Sequence, residues 1–121
     1  MNSAIFNKLR ALPAPQQQAF VPLFGSLERF YATVYEIVHT GHETELQKPD
    51  HLEQRLEVIR TLKQKVVARL SAAGLPGEDI WDDIASDYFE DYVAYREPEI
   101  EPLDHAEFLG IVKCLLAEPD K

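Results

Sequence analysis

Carboxylates are the side chains of this sequence whose number and spacing are best suited to chemistry or recognition. Twelve aspartates and glutamates lie between Glu78 and Glu107, where Arg96 is the only lysine or arginine. That stretch carries a charge of about −11 at neutral pH, whereas the whole chain carries −9, so the rest of the chain sums to about +2. The acidity is therefore local.

A local acidic surface attracts basic proteins over long range and raises their association rate and selectivity more than their final affinity. The sequence therefore predicts a non-catalytic interaction or regulatory module with a basic protein partner. Mimicry of nucleic acid by the same carboxylates is a weaker version of this hypothesis. The predicted partner-binding residues are Asp79, Asp82, Asp83, Asp87, Glu90, Asp91, Glu97, Glu99, Glu101 and Asp104.

The helix predicted before this stretch offers an internal alternative. Its polar face is mostly basic, and the tight connection Leu75-Pro76-Gly77 predicts that the acidic helix lies antiparallel to it. The two helices would then neutralise each other, and the remaining acids would form an ordinary solvated face. The sequence leaves this alternative open. The basic residues concerned are Arg55, Arg60, Lys63, Lys65 and Arg69.

A metal site is the second alternative, and it would make the chain a carboxylate and histidine metalloenzyme. Glu36 and His39 have the Glu-x-x-His spacing used by di-iron helical bundles, in which both side chains project from one helix face. Such a site needs a second motif of the same kind, and the sequence contains none. His42 lies beyond the predicted helix end at Gly41, so we expect no metal and no other cofactor.

Nucleophilic catalysis has no support in the sequence. Cys114 lies between Ile111 and Leu115 on an apolar helix, which predicts a buried and unreactive thiol. Ser26 lacks the Gly-x-Ser-x-Gly context of a hydrolase nucleophile, and no glycine-rich phosphate loop is present. We therefore expect a protein that is not an enzyme.

Helical periodicity predicts an all-α fold, a single-domain antiparallel bundle of four to five helices spanning residues 1–121. Apolar residues recur at intervals of three and four in the predicted helices. Tyr31 to Thr40 is rich in β-branched and aromatic residues, so a strand there stays open. The predicted helices cover residues 3–12, 20–41, 50–73, 78–97 and 104–118, with Gly41 as a stop and with Asp50 and Asp104 opening capping boxes.

Aromatic side chains alternate with the acids on the helix that begins near Glu78. The helical wheel places Trp81, Tyr88 and Tyr92 on the side opposite most of the acids. We therefore expect these three rings in the core, and Phe89 and Tyr95 fall within the same half of the helix. Exposure of any of them beside the acids would strengthen the interaction hypothesis, since tryptophan and tyrosine anchor interfaces.

Composition limits the setting and the partners. A lone cysteine, no secretory leader and no apolar run of membrane-spanning length predict a soluble cytoplasmic protein. The negative balance argues against direct nucleic-acid binding and against an anionic membrane surface.

The helix over residues 50–73 is regular enough to pair with a second copy, which is a structural alternative without a separate activity. The oligomeric state stays open.

Overall fold

The computed structural model describes residues 3–118, and the regular elements in that range are all helical, with no strand. The predicted all-α bundle is therefore confirmed. Residues 31–40 are helical throughout, so the strand that the sequence left open is absent there. The helices are α1 (Ala4–Arg10), α2 (Ala14–Gln17), α3 (Leu27–Gln47), α4 (Leu52–Ala72), α5 (Gly77–Val93) and α6 (His105–Ala117).

The three longest helices form the centre of the bundle and run up, down and up. Gly41 of α3 lies against Ile59 of α4, and Lys63 of α4 pairs with Glu78 of α5 at 3.5 Å. These are the pairings of antiparallel neighbours joined by short turns. α3 and α5 therefore run parallel and in contact, while α6 packs on α4 and α1 contacts both α3 and α5.

Phenylalanines from the first quarter of the chain form the densest part of the core. Phe6, Phe20, Phe24 and Phe30 are almost completely buried. The ring centroids of Phe20 and Phe24 lie 4.7 and 5.1 Å from that of Phe30. Complete burial of one such side chain stabilises the fold by about 1.5–3 kcal/mol. The irregular segment before α3 is thereby held on the bundle without being helical.

The start of α3 differs from the prediction, which began the helix at Phe20. α3 begins at Leu27, where the Ser26 hydroxyl accepts a hydrogen bond from the backbone nitrogen of Arg29 at 3.2 Å. Leu23 and Gly25 have positive φ angles of 75° and 94°, which an α-helix cannot contain. The apolar spacing between Phe20 and Leu27 thus comes from a compact turn, and the spacing from Leu27 onward comes from a helix.

The end of α3 also differs, because the helix passes through Gly41, the predicted stop, and continues to Gln47. A Cβ atom at Gly41 would lie 3.1 Å from Cγ2 of Ile59, so this glycine permits the close approach of α3 and α4. The helix ends at Lys48, which has a φ angle of 46° and precedes Pro49. The loop predicted for residues 42–49 is therefore mostly helix.

The later helix ends match the predictions unevenly. α6 opens as predicted, because the Asp104 carboxylate accepts a hydrogen bond from the backbone nitrogen of Glu107 at 2.9 Å. The capping box predicted at Asp50 is not formed, and α4 instead begins after His51, whose φ angle of 61° makes a sharp turn. α5 ends at Val93, earlier than the predicted limit at Pro98.

Cys114 is exposed, so the prediction of a buried thiol is wrong. α6 is an outer helix that packs on α4 and presents Ile111 and Leu115 to the core. Leu109 and Leu116, two further apolar residues of α6, are 40% and 43% exposed. The buried stripe of α6 is narrower than its apolar composition suggests, because an outer helix is covered on one side.

Candidate interaction surface

Asp87 and Asp91, which the sequence predicts to bind a partner, are hydrogen-bonded to tyrosines of α3. Tyr31 donates a hydrogen bond from its hydroxyl to Asp87 Oδ2 at 2.7 Å, and Tyr35 donates to Asp91 Oδ2 at 2.9 Å. Ser3, the N-cap of α1, also donates to Asp87 Oδ2, at 2.5 Å. We call the two tyrosine pairs the tyrosine–aspartate ladder.

The ladder follows from the parallel packing of α3 and α5. Both pairs join residues 56 positions apart in the chain, and the tyrosines and the aspartates are each four residues apart on their own helix. Residues spaced by four share a helix face, so two parallel helices in register repeat the same contact one turn later. Asp87 and Asp91 are half-buried and face the bundle, which separates them from the outward acids.

Burial shifts the titration of the tyrosines in the ladder. The pKa of Tyr31 is raised well above its ordinary value, chiefly by burial and further by its hydrogen bond to Asp87. The pKa of Tyr35 is raised for the same reasons, with Asp91 as the acceptor. Both hydroxyls therefore keep their protons and act as donors to carboxylates, the stronger class of hydrogen bond.

The remaining acids of α5 point outward. Asp79, Asp82, Asp83 and Glu90 are exposed, and no ion pair within residues 3–118 involves them. Asp79, Asp82 and Asp83 lie near the first turns of α5, and Glu90 lies further along on the same side of the helix. We call these four residues the outer acidic face.

The segment between α5 and α6 extends this negative surface. It has no regular structure and includes the exposed residues Glu97, Glu99 and Glu101, as the sequence predicts. Ile100 and Leu103 pack partly against the core and hold the segment on the bundle. Asp104 is also exposed, although its carboxylate caps α6 and is committed to that helix.

Internal neutralisation by α4 is limited. Lys63 of α4 reaches Glu78 of α5 at 3.5 Å, as the antiparallel packing predicts. Arg60 pairs with Glu57 and Glu53 of its own helix, and Arg69 pairs with Glu118 after α6. The basic face of α4 therefore meets the acids of α5 at Glu78, and none of these pairings reaches the outer acidic face. Lys8 of α1 lines a depression together with Asp83 and Glu90 but forms no ion pair with them.

Apolar and aromatic side chains are exposed at the end of α5, beside the acids. Phe89 and Tyr92 are each 43% exposed, Val93 is 78% exposed and Tyr95 is 96% exposed. Trp81 and Tyr88 are buried as predicted, but the predicted placement of Tyr92 in the core is wrong. A helical wheel gives the direction in which a side chain points. It does not show what lies on that side of the helix, and beyond Tyr88 the aromatic side of α5 faces His42 and solvent.

A pair of histidines shares one hydroxyl, which the sequence did not predict. His39 Nδ1 lies 3.2 Å and His42 Nδ1 lies 3.0 Å from the Tyr88 hydroxyl oxygen. A hydroxyl has one proton to donate, so at least one of the two histidines donates from Nδ1 to the Tyr88 oxygen. Burial is the main cause of the raised pKa of Tyr88. The continuation of α3 through Gly41 places both rings on one face.

The metal-site alternative was based on Glu36 and His39, and the geometry gives His39 a different partner. Its Nδ1 atom is engaged by Tyr88, and the His42 ring packs at 4.6 Å from the ring of Tyr92. No group of three or more histidine, cysteine, aspartate or glutamate side chains in residues 3–118 is arranged to hold a metal ion. The histidine pair therefore links α3 to α5.

The fold and this surface define a small all-α domain with a locally acidic, partly aromatic exterior. Among the helices that the structure describes, none combines the length and the apolar character needed to cross a bilayer. Comparison of the chain with protein-family models, with characterised proteins and with solved structures finds no significant match. Functional inference therefore depends on the surface itself.

Proposed function

We propose that this chain is a non-catalytic interaction or regulatory module that binds a basic protein through the outer acidic face. The observation that carries the proposal is that Asp79, Asp82, Asp83 and Glu90 are exposed and without ion pairs among the described residues, while arginines of α4 pair with other acids. The exposed glutamates between α5 and α6 add to the same negative field.

The cost of this arrangement to the isolated chain supports the proposal. Asp79, Asp83 and Asp87 are successive like charges four residues apart, and each such pair destabilises a helix by about 0.2–0.5 kcal/mol. The helix dipole favours acids in the first turn by about 0.3–1 kcal/mol, which helps Asp79 but does not reach Glu90. Lysines and arginines of a partner would relieve the remaining repulsion.

Charge reversal at Asp82 and Asp83 tests the proposal. Both side chains are exposed, so D82K/D83K removes negative charge without breaking a described contact. Asp87 is unsuitable for this test, because reversal there would break the tyrosine–aspartate ladder. We expect affinity capture from a native lysate at low salt to retain a basic protein on the wild type and to lose it on D82K/D83K.

The matched control is E45K/D50K. Glu45 is an exposed acid near the C-terminal end of α3, and Asp50 is an exposed acid in the turn between α3 and α4. Their reversal changes the net charge by the same amount as D82K/D83K. We expect this control to retain the partner and both variants to keep the circular dichroism of the wild type. Equal loss of partner capture in both variants would mean that net charge alone explains the effect. Unchanged capture by D82K/D83K would contradict the proposal.

The setting that we propose with this function is the cytoplasm. The single cysteine forms no disulfide within the described residues, as is usual in a reducing compartment. The negative surface disfavours nucleic acids and anionic lipids as direct ligands, because both carry phosphates that would repel it. A basic protein is therefore the ligand class that suits the surface best.

A further inference from the structure

The outward side of α5 changes character along its length. Its first half presents Asp79, Asp82 and Asp83, and its last turns present Phe89 and Val93. Ser86, Phe89, Glu90 and Val93 follow the spacing of one helix face. Together with Arg96 they line a shallow open depression of ≈ 560 Å³. We call Phe89 and Val93 the apolar end of this face.

The apolar end is unusual because it is exposed on a helix surrounded by acids. Val93 is 78% exposed and Phe89 is 43% exposed, although an apolar side chain gains about 1.5–3 kcal/mol from complete burial. The last turn of α5 has no basic residue, so the negative end of the helix dipole adds to the charge of Glu90. Arg96, which lines the same depression, pairs with Asp91 at 3.5 Å and forms no ion pair with Glu90, so a ligand that combines apolar contact with positive charge suits this surface best.

We propose, building on the proposed function, that the apolar end anchors an apolar side chain of the basic partner while Asp82 and Asp83 bind its cations. Asp83 and Val93 are ten residues apart on one helix, a rise of about 15 Å. The partner segment therefore carries a lysine or arginine cluster about 15 Å from an apolar anchor residue, a spacing that an amphipathic helix lying along α5 supplies.

Charge complementarity selects this occupant over the others. A second copy of this chain would bring one outer acidic face against another, which opposes association. An anionic lipid surface would be repelled for the same reason. A neutral apolar segment would fill the depression but leave Asp82, Asp83 and Glu90 without counter-charges, so it would bind more weakly than a basic one.

Model peptides test the arrangement of charge and apolar contact. The probe is a fluorescent alanine-based helical peptide of about 18 residues, with a lysine block at one end and a pair of leucines at the other. A mixed peptide of the same composition places the leucines within the lysine block. We expect the block peptide to bind the full-length protein about tenfold more tightly than the mixed peptide, measured by anisotropy at low salt.

Two valine substitutions locate the anchor. Val93→Ser removes the most exposed apolar side chain of the apolar end, and Val58→Ser makes the same change at a 44% exposed site on α4. We expect Val93→Ser to reduce the affinity for the block peptide to that for the mixed peptide, and Val58→Ser to leave it unchanged. Equal binding of the two peptides by the wild type would overturn the anchor.

The outcomes separate this inference from the proposed function. Loss of binding in D82K/D83K with no effect of Val93→Ser would overturn the anchor and keep the acidic interaction module. Binding that is unaffected by D82K/D83K would overturn the acidic module as well. Failure of every peptide to bind at low salt would count against both, because low salt favours attraction between opposite charges.

Discussion

Tyr31 and Tyr35 bind two carboxylates of α5 within the fold, and the other carboxylates of that helix are exposed. Each hydroxyl donates to an aspartate on the parallel helix, and hydrogen bonds to charged groups contribute about 1.5–3 kcal/mol. Asp87 therefore stabilises the packing of α3, α5 and the N-cap of α1 in one place. Its neighbours Asp83 and Glu90 lack such partners and remain available at the surface.

Alkaline pH should destabilise the protein through the ladder. Burial raises the pKa of Tyr31 and of Tyr35 above the ordinary tyrosine value of 10.0. The unfolded chain then loses these protons at a lower pH than the folded chain does. The stabilisation is therefore complete below about pH 10 and declines as the pH rises further. Urea unfolding midpoints measured across this range should fall with increasing pH.

The double variant Tyr31→Phe/Tyr35→Phe checks the assignment of this effect. Phenylalanine cannot ionise, so the variant should show a shallower decline in stability at alkaline pH. It should also be less stable than the wild type near neutral pH, by about 1–3 kcal/mol, because each half-buried carboxylate loses its tyrosine donor. An alkaline decline as steep as that of the wild type would show that other groups are responsible.

At the residue scale, the directions of the acidic side chains on α5 were easier to predict from the sequence than their hydrogen-bond partners. The sequence placed Asp79, Asp83, Asp87 and Glu90 on the side of the helix opposite the apolar residues, and a helical wheel is sufficient for that. It did not separate Asp87 from the others, because the separation depends on the register between α3 and α5, which no local pattern contains. The histidines on Tyr88 were missed for a related reason, since Gly41 was predicted to end the helix before His42.

At the scale of elements, α4 and α5 end in the same backbone motif with different residues. After α4, Gly74 has a φ angle of 80° and the Leu75 nitrogen donates to the Leu70 carbonyl at 3.0 Å. After α5, Tyr95 has a φ angle of 55° and the Arg96 nitrogen donates to the Asp91 carbonyl at 2.9 Å. Glycine is the usual residue at this left-handed position.

Exchanging the residue types at these two positions should change stability in opposite directions. A left-handed conformation costs a residue with a Cβ about 1–2 kcal/mol relative to glycine, partly offset by the greater freedom of glycine in the unfolded chain. We therefore expect Tyr95→Gly to stabilise the protein by about 1 kcal/mol and Gly74→Ala to destabilise it by a similar amount. Urea unfolding measures both.

Tyr95 is well suited to this comparison because its side chain is 96% exposed, so its removal loses almost no burial. A Cβ at Gly74 would meet nothing within 4 Å, so Gly74→Ala isolates the backbone effect. A loss of stability in Tyr95→Gly would contradict this account and indicate that the ring stabilises the end of α5. The gain, if observed, would mean that Tyr95 is kept at a cost to stability.

The helices themselves were largely predictable, and their ends were predictable where the deciding contact is local. Asp104 caps α6 as its spacing with Glu107 indicates, since that bond lies within one turn. Asp50 has the same spacing with Glu53 but caps nothing, because the chain turns sharply at His51 after Pro49. Gly41 continues a helix because α4 packs on it, a tertiary contact that outweighs its helix-ending tendency.

At the scale of the whole molecule, acids outnumber bases on the surface of the bundle. The chain has 21 acidic and 12 basic residues, and several of the cations are paired with acids outside the outer acidic face. Exposed ion pairs contribute at most about 1 kcal/mol each and often nothing. We therefore expect repulsion among the unpaired acids to dominate the response of the free protein to salt.

Salt should consequently act on the free protein and on its complex in opposite directions. The Debye length falls from about 30 Å at 0.01 M to about 10 Å at 0.1 M salt. Sodium chloride should raise the urea midpoint of the free chain by screening repulsion, and should weaken binding of the lysine–leucine block peptide by screening attraction.

Asp83→Asn should be more stable than the wild type at low salt by about 0.4–1 kcal/mol, because it removes like-charge pairs with Asp79 and Asp87. That advantage should shrink at high salt, whereas a midpoint that falls with salt would show that internal ion pairs outweigh the repulsion. A midpoint that falls with salt would indicate that the acids serve as counter-charges within the fold. The sign of the change in urea midpoint with salt therefore distinguishes a surface that binds a partner from one that is neutralised internally.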